Sequence, residues 1–389
     1  MRVHLVVLSA IALLAACEKS DAPTDLVTAA SPPLPPAAVA TLRAPTGAEA
    51  LAAEFAQTPD EGAIGGPRRG LTPEQRVAFV RGRMAFRDGP GEAGGLGPRY
   101  VQKACGDCHA GPVLGGEGTM KSALTVAVPP GHQDVQIVQQ KAIAGFVPEP
   151  AAAGSLISKV RAPMLFGVGA IDTIPPAAIA ALADPGDRDG DGVRGRANER
   201  AGKLSRWGMK AHNLELRRFV INSMYLDLGL TFSEFPGMDK DADAVPDPEA
   251  NEAMIESYVA FIGNLAPPPR GRITKKVIAG ATVFADVGCA VCHKPDLGPV
   301  EGIYSNLLVH DMGPDNADGI QDGVATGRDW RTTPLWGLRL RKAFFHDHRA
   351  KDLDAAIRLH RGESDRSRVK ADALAPDKRA ALMAFLASL

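Results

Sequence analysis

Two copies of the pattern C-x-x-C-H constrain this chain more than any other feature: Cys105-Gly106-Asp107-Cys108-His109 and Cys289-Ala290-Val291-Cys292-His293. Two thiols at this spacing reach the two vinyl groups of one haem. The adjacent histidine then reaches the iron from one face, which makes the pattern the attachment signature of c-type haem. A single copy also reads as half a zinc site or a redox dithiol. Two copies in one chain favour haem at both. The expected cofactors are two covalent haem c groups on Cys105, Cys108, Cys289 and Cys292, with His109 and His293 as proximal iron ligands.

The fifth cysteine points to export. Arg2 precedes an apolar stretch from Leu5 to Leu14, and Leu14-Ala15-Ala16-Cys17 resembles a bacterial lipobox. The expectation is a signal peptide over 1–17 with a lipid on Cys17; an ordinary signal peptide or a short anchor are the alternatives. Export agrees with haem c, which is attached outside the bacterial cytoplasm. The expected location is the cell envelope, facing the periplasm, and Glu18 after the lipidated cysteine favours the outer membrane. Beyond the N-terminus no apolar run is long enough to span a bilayer, so the membrane is reached by the lipid anchor only. A formal net charge of −1 gives no reason to expect nucleic acid as a partner.

Residues 18–70 are rich in alanine and proline, as in Ser31-Pro32-Pro33-Leu34-Pro35-Pro36. The expectation is a disordered tether. Order should begin at Thr72, where Thr72-Pro73-Glu74-Gln75 carries an N-cap, a proline at the first helical position and a glutamine for a capping box. Helical stripes follow at Val77, Val80 and Met84; at Leu216, Phe219, Val220 and Met224; and at Ile255, Tyr258, Val259 and Ile262. Ala266-Pro267-Pro268-Pro269 stops the last of these and marks a domain boundary. Beyond it, a helix with Val277, Ala281, Phe284 and Ala285 on one face runs into Cys289. A final helix carries Leu382, Phe385, Leu386 and Leu389. That is the layout of a small cytochrome c domain. Arg161-Ala162-Pro163-Met164-Leu165-Phe166-Gly167-Val168 is echoed by Arg331-Thr332-Thr333-Pro334-Leu335-Trp336-Gly337-Leu338, a hint of two related haem domains. The expected fold is mainly α: two cytochrome-c-like haem domains with long loops, at 71–268 and 269–389, preceded by the tether.

The sixth iron ligands decide function, since a haem with two strong protein ligands moves electrons and one with an open position meets oxidants. For the second haem, His310, Met312, His346, His348 and His360 are candidates. His360 fits best, because it shares a helical face with Leu353 and Ile357 and precedes the final helix. For the first haem, His132, His212, Met164 and Met209 remain open. Asp172 is an acidic group in an apolar stretch and a candidate proton shuttle, or else a helix cap before Pro175-Pro176. Asp187, Asp189, Asp191, Gly192 and Val193 match the start of a calcium loop. Asn198 stands where an EF-hand needs glutamate, so the alternatives are Ca2+ in a non-EF-hand loop or an acidic turn.

Several stretches together resemble the bacterial di-haem oxidoreductase family, a group classed with peroxidases and sometimes called thiol-oxidoreductase-like. They are GLGPRYVQKACGDCH from Gly95, RAPMLFGVGAIDTIP from Arg161, DRDGDGVRGRAN from Asp187, YSNLLVHDMG from Tyr304, RDWRTTPLWGL from Arg328, FFHDHRA from Phe344 and AIRLHRGES from Ala356. The resemblance covers about 72–389 and implies kinship with di-haem cytochrome c peroxidases and their tryptophan-modifying and rubber-cleaving relatives. It implies that electrons enter at the C-terminal haem and that hydrogen peroxide or oxygen is reduced at the N-terminal one. The donor would be a small redox protein or a quinol-linked carrier. The family's AIRLH-like segment gives peroxidases a methionine ligand where this chain has His360, which implies a lower potential there. His348 stands where the family pattern F-x-H-D-G-R-A has glycine; the iron and a haem propionate are both open to it. His310 and His346 are expected beside the haem rather than on iron. The alternatives are an electron carrier with both haems six-coordinate, an oxygenase or protein-modifying enzyme on the same scaffold, and a haem protein of envelope iron uptake.

Overall fold

The structure, a computed structural model, describes residues 48–132, 135–234 and 237–389. The export segment, Cys17 and the first part of the expected tether lie outside the described residues. The tether does not run to residue 70. Helix α1 (Ala48–Gln57) precedes it, and its Glu54 is 3% exposed and ion-paired with Arg83 and Arg87 of the next helix. Alanine makes this stretch look featureless, yet it is also the best helix former. One buried carboxylate between two guanidinium groups then docks the helix.

Helix α2 (Pro73–Asp88) starts as the capping signals predict. Thr72 Oγ1 accepts from Gln75 N–H at 3.2 Å, and Gln75 Oε1 accepts from Thr72 N–H at 3.0 Å. Strands β1 (Arg99–Tyr100), β2 (Leu124–Val128), β3 (Gln136–Ile137), β4 (Lys141–Ala142) and β5 (Leu156–Val160) follow. They form an antiparallel β3–β2–β5 sheet and a β1–β4 pair. Next come α3 (Pro176–Ala180), the hairpin of β6 (Asn198–Arg200) and β7 (Lys203–Ser205), α4 (Leu216–Ser223) and α5 (Glu252–Asn264). The last third holds α6 (Lys275–Asp286), the pair β8 (Val309–Asp311) and β9 (Asp329–Arg331), then α7 (Leu353–Leu359), α8 (Asp365–Asp372) and α9 (Pro376–Leu386). Helix exceeds strand threefold, 36% against 12%, so the mainly helical expectation holds in its coarse form. The small sheets are additions to it, because strands this short show no readable period-2 pattern. Among the described residues no helix is long and apolar enough to cross a membrane.

Each C-x-x-C-H loop is attached to the same kind of helix crossing. Where α2 crosses α5, a Cβ on Gly82 would lie 2.0 Å from the Ser257 carbonyl oxygen. One turn on, Phe86 packs 4.9 Å from Phe261 and 6.0 Å from the His109 ring. Where α6 crosses α9, a Cβ on Gly280 would lie 2.0 Å from the Ala381 carbonyl oxygen. One turn on, Phe284 packs 5.2 Å from Phe385 and 6.5 Å from the His293 ring. Glycine lets the backbones touch, and the phenylalanine below it walls the histidine.

The hydrophobic core does not respect the proline run. Phe79, Phe86, Ile221, Tyr258 and Phe261 share one cluster with Leu297, Ile303, Leu308 and Trp336 from beyond it. Val277, Phe284, Leu382 and Phe385 form a smaller second cluster. The echoed segments meet across this junction. Gly167 (φ 75°) and Gly337 (φ 70°) are both left-handed and each starts a 3-10 turn. A Cβ on Gly167 would lie 3.3 Å from Trp336, and one on Gly337 would lie 2.8 Å from the Met164 sulfur.

Candidate haem sites

At the first site, Cys105–Asp107 form a single 3-10 turn. The Asp107 carboxylate caps it, accepting from the Lys103 and Ala104 N–H groups at 3.2 Å each. His109 Nδ1 lies 2.8 Å from the Pro163 carbonyl oxygen. A carbonyl can only accept, so Nδ1 carries the proton, and the Gly116 carbonyl is a second backbone acceptor close to the ring. Burial holds the His109 pKa down near 4, which keeps the ring neutral, as a metal ligand must be.

The second site repeats this. Cys289–Val291 form a 3-10 turn after left-handed Gly288, and His293 Nδ1 lies 2.9 Å from the Tyr304 carbonyl oxygen. Burial again holds the histidine near pKa 4, with His360 and His310 close enough to lower it further. None of Cys105, Cys108, Cys289 and Cys292 is in a disulfide. Burial pushes Cys108 up to about 11 and Cys289 to about 12, and Cys105 higher still. Unbridged, partly buried cysteines beside a neutral imidazole fit haem attachment.

The structure sorts the sixth-ligand candidates. His360 ends α7; its Nδ1 lies 2.7 Å from the Ala356 carbonyl, so Nε2 is free, and its ring meets Phe345 edge-on at 5.7 Å. His310 is held elsewhere, with Nδ1 2.7 Å from Glu363 Oε2 and Nε2 3.1 Å from the Asn306 amide, beside the Cys292 sulfur. His346 stacks on Trp330 at 4.0 Å. At the first site Met164 follows Pro163, and its sulfur faces Gly337. His132 is exposed. His212 lies 3.1 Å from Asp322. No described histidine stands to His109 as His360 stands to His293.

Asp172 is raised by burial, but both its oxygens are engaged. Oδ1 accepts from the Trp207 indole N–H at 2.7 Å, and Oδ2 accepts from the Leu216 N–H at 3.0 Å at the start of α4. The 187–193 loop is wound by backbone N–H groups donating to side-chain carboxylates: Gly192 to Asp187 Oδ1 (2.9 Å), Asp191 to Asp189 Oδ1 (3.2 Å) and Val193 to Asp191 Oδ1 (2.8 Å). One oxygen from each aspartate lies within 4.8 Å of the others. Asn198 is not part of it, because its amide donates to Lys210 and Asp322 carbonyls. A second acidic group, Asp241, Asp247 and Glu249, also brings oxygens within 4.8 Å of one another. The alternation of acids from Asp239 to Glu249 is the signal that could have found it.

Two neutral histidines, each fixed by a backbone carbonyl beside a pair of unbridged cysteines, have the arrangement of a haem-binding redox protein. Residues 223–389 match the family model described as "Di-haem oxidoreductase, putative peroxidase". The resemblance read from the motifs is thus borne out, and with it the assignment to the oxidoreductases and the expectation of haem. The match includes the second C-x-x-C-H motif and leaves the first outside it. No match is found among curated proteins. Among solved structures, hydrazine synthase from Kuenenia stuttgartiensis is 14% identical over 99% of this chain and 100% of that one, at a TM-score of 0.42. A MauG-like protein associated with microbial copper homeostasis is 13% identical over 83% of this chain and 92% of its own, at 0.44. A variant of the diheme peroxidase BthA from Burkholderia thailandensis is 15% identical over 72% and 70%, at 0.39. These likenesses are too distant to carry function.

Proposed function

We propose that the chain is a peroxidase-like di-haem c-type enzyme of the bacterial cell envelope, with electrons entering at the C-terminal site and hydrogen peroxide or oxygen reduced at the N-terminal one. Haem, when bound, supplies a redox iron that passes electrons where both axial positions are filled and reduces oxidants where one is open. The observation that carries the reading is the asymmetry of the histidine sets: His360 acts on His293, and among the described residues no second histidine acts on His109.

In this reading the four thiols add across haem vinyl groups, Cys105 and Cys108 on one haem and Cys289 and Cys292 on the other. The Pro163, Tyr304 and Ala356 carbonyls hold Nδ1 protons and aim the Nε2 lone pairs of His109, His293 and His360. Phe86 and Phe284 pack beside the proximal rings. Asp172 holds Trp207 and the start of α4 rather than shuttling protons. The two halves, 71–268 and 269–389, act as cytochrome-c-like units joined by the shared core, with a small redox protein or quinol-linked carrier as donor. The loop Asp187–Asp191 takes Ca2+ through its clustered carboxylates. A lipid on Cys17 holds the chain on the membrane; Cys17→Ala should release it to the soluble envelope fraction.

The test is the intact mass of mature protein from a haem-c-competent host, followed by turnover. The expected mass is polypeptide plus lipid plus two haems, with peroxide consumed when reductant is present. A mass without haem, or loaded protein inert to both oxidants, contradicts the reading. His360→Ala should convert the second haem from low to high spin.

A further inference from the structure

Three guanidinium groups and the Glu117 carboxylate are brought together between the two histidine sites. Arg161 Nη1 donates to Glu117 Oε2 at 2.8 Å in an almost wholly enclosed pair, and Arg161 Nε donates to the Phe345 carbonyl at 3.3 Å. The Arg161 N–H donates to the His346 carbonyl at 2.9 Å. Arg341 lies within electrostatic reach of Arg161, Arg331 and Glu117, and His348 within reach of Arg161, Lys351, Arg341 and Asp347, the last already paired with Arg349. Arg161 also acts on His109, while Phe345 touches His360. The cluster therefore spans the gap from one iron ligand to the other.

Its charges do not balance. Glu117 is the one carboxylate acting on Arg341, and it is already used by Arg161 and by the Lys342 N–H at 3.2 Å. Burial lowers Arg331 to about 10 with no carboxylate opposing the shift. Three nitrogens here are fully buried without a hydrogen-bond partner: Arg331 Nη1, Arg341 Nε and His348 Nε2. His348 as a whole is only 8% exposed. Arg331 and Arg341 are half-buried with one enclosed, unpaired N–H each, and burial holds His348 near pKa 4 as a neutral ring; unpaired guanidinium N–H groups out of reach of water are costly, so the cluster calls for an anion. The backbone is bent to present it. Phe345 (φ 70°) and His348 (φ 59°) both sit in the left-handed region that such residues rarely adopt.

We propose that Arg331, Arg341 and His348, with Arg161 steadied by Glu117, form a cage for carboxylates, occupied by the propionate side chains of the haem on His109. The cage holds that haem at its acidic edge and raises its potential, because cations beside the propionates disfavour ferric iron. This rests on the reading that haem is bound. A free anion would satisfy the same nitrogens, so the test separates the two sources.

Holoprotein with Arg331→Gln, Arg341→Gln or the charge-keeping Arg341→Lys is titrated by spectroelectrochemistry. Both glutamine variants should lower the midpoint potential of the His109 haem and leave the other unchanged, and Arg341→Lys should stay near the parent. Unchanged potentials in the glutamine variants, a shift confined to the other haem, or a lysine variant that behaves like glutamine overturns the cage. If the arginine variants do not fold, His348→Phe should move the same potential in the same direction by less; no shift overturns it. Inorganic phosphate added to parent holoprotein should leave its unfolding temperature unchanged, and a saturable rise overturns the assigned occupant. Absence of a Soret band in the parent would sink the haem reading itself, and is seen before any variant is made.

Discussion

Gly280→Ala tests the helix crossing that supports the second site, and two physical rules give it opposite signs. Helix propensity alone makes the change stabilising by about 1 kcal/mol. Packing says otherwise. The added Cβ would lie 2.0 Å from the Ala381 carbonyl oxygen, 2.6 Å from its carbon and 2.7 Å from the Phe385 Cβ. Ordinary contact begins near 3.4 Å, so α6 and α9 must part by roughly 1 Å against rigid backbone. Overpacking of this kind costs about 1–3 kcal/mol or more, and parting the helices also loosens the Phe284–Phe385 contact, worth about 0.5–1.5 kcal/mol. The net expectation is destabilisation of about 2 kcal/mol, a fall of roughly 2–3 °C in unfolding midpoint for a protein of this size. Thermal unfolding of the holoprotein followed by circular dichroism measures it. Ile278→Ala, on the exposed side of the same helix at 61% exposure, is the control and should stay within about 0.5 kcal/mol. An unchanged or raised midpoint for Gly280→Ala would refute the reasoning. Gly82→Ala should behave likewise at the α2–α5 crossing.

Further outcomes follow from the same structure. Asp354 on α7 is hydrogen-bonded to Arg379 of α9 and paired with Arg358, which lowers its pKa below 3.8. The stability it adds is complete above its unfolded-state pKa and is lost as pH falls through the depressed value. Asp354→Asn should therefore flatten the acid limb of stability at and below the ordinary carboxylate range in urea unfolding. Asp172→Asn turns an acceptor pair into one acceptor and one donor facing two N–H groups. It should cost about 1–3 kcal/mol and shift Trp207 fluorescence, whereas a proton-shuttle role would instead cut peroxide turnover at unchanged stability. Cys289→Ser with Cys292→Ser should remove one haem by mass and leave the other. Asp189→Asn should abolish any Ca2+-dependent rise in unfolding temperature; a rise that survives the substitution places the ion elsewhere.

What the sequence could show depended on whether a feature was local. The start of α2 was legible because Thr72, Pro73 and Gln75 settle it among themselves. The stripes on α5, α6 and α9 were legible because burial imposes the helical period. The echo of 161–168 in 331–338 is matched by two left-handed glycines that meet across the junction. The glycine–phenylalanine repeat of the two crossings was harder to see. Gly82 lies farther from its cysteines than Gly280 does, and nothing in the chain says that Ser257 and Ala381 are their partners. The helix at 48–57 was missed because its anchor, Glu54, is meaningful only beside Arg83 and Arg87. The basic cluster escaped notice for the same reason: Arg161, Arg331, Arg341 and Glu117 are scattered along the chain and converge only in the fold.

Electron paramagnetic resonance of the resting ferric holoprotein tests the central claim, two haems with unequal axial ligation, most directly. One low-spin signal from the His293/His360 iron and one high-spin signal from the His109 iron, in equal amounts, is the predicted spectrum. Two low-spin signals with no high-spin fraction would contradict it and make the protein an electron carrier.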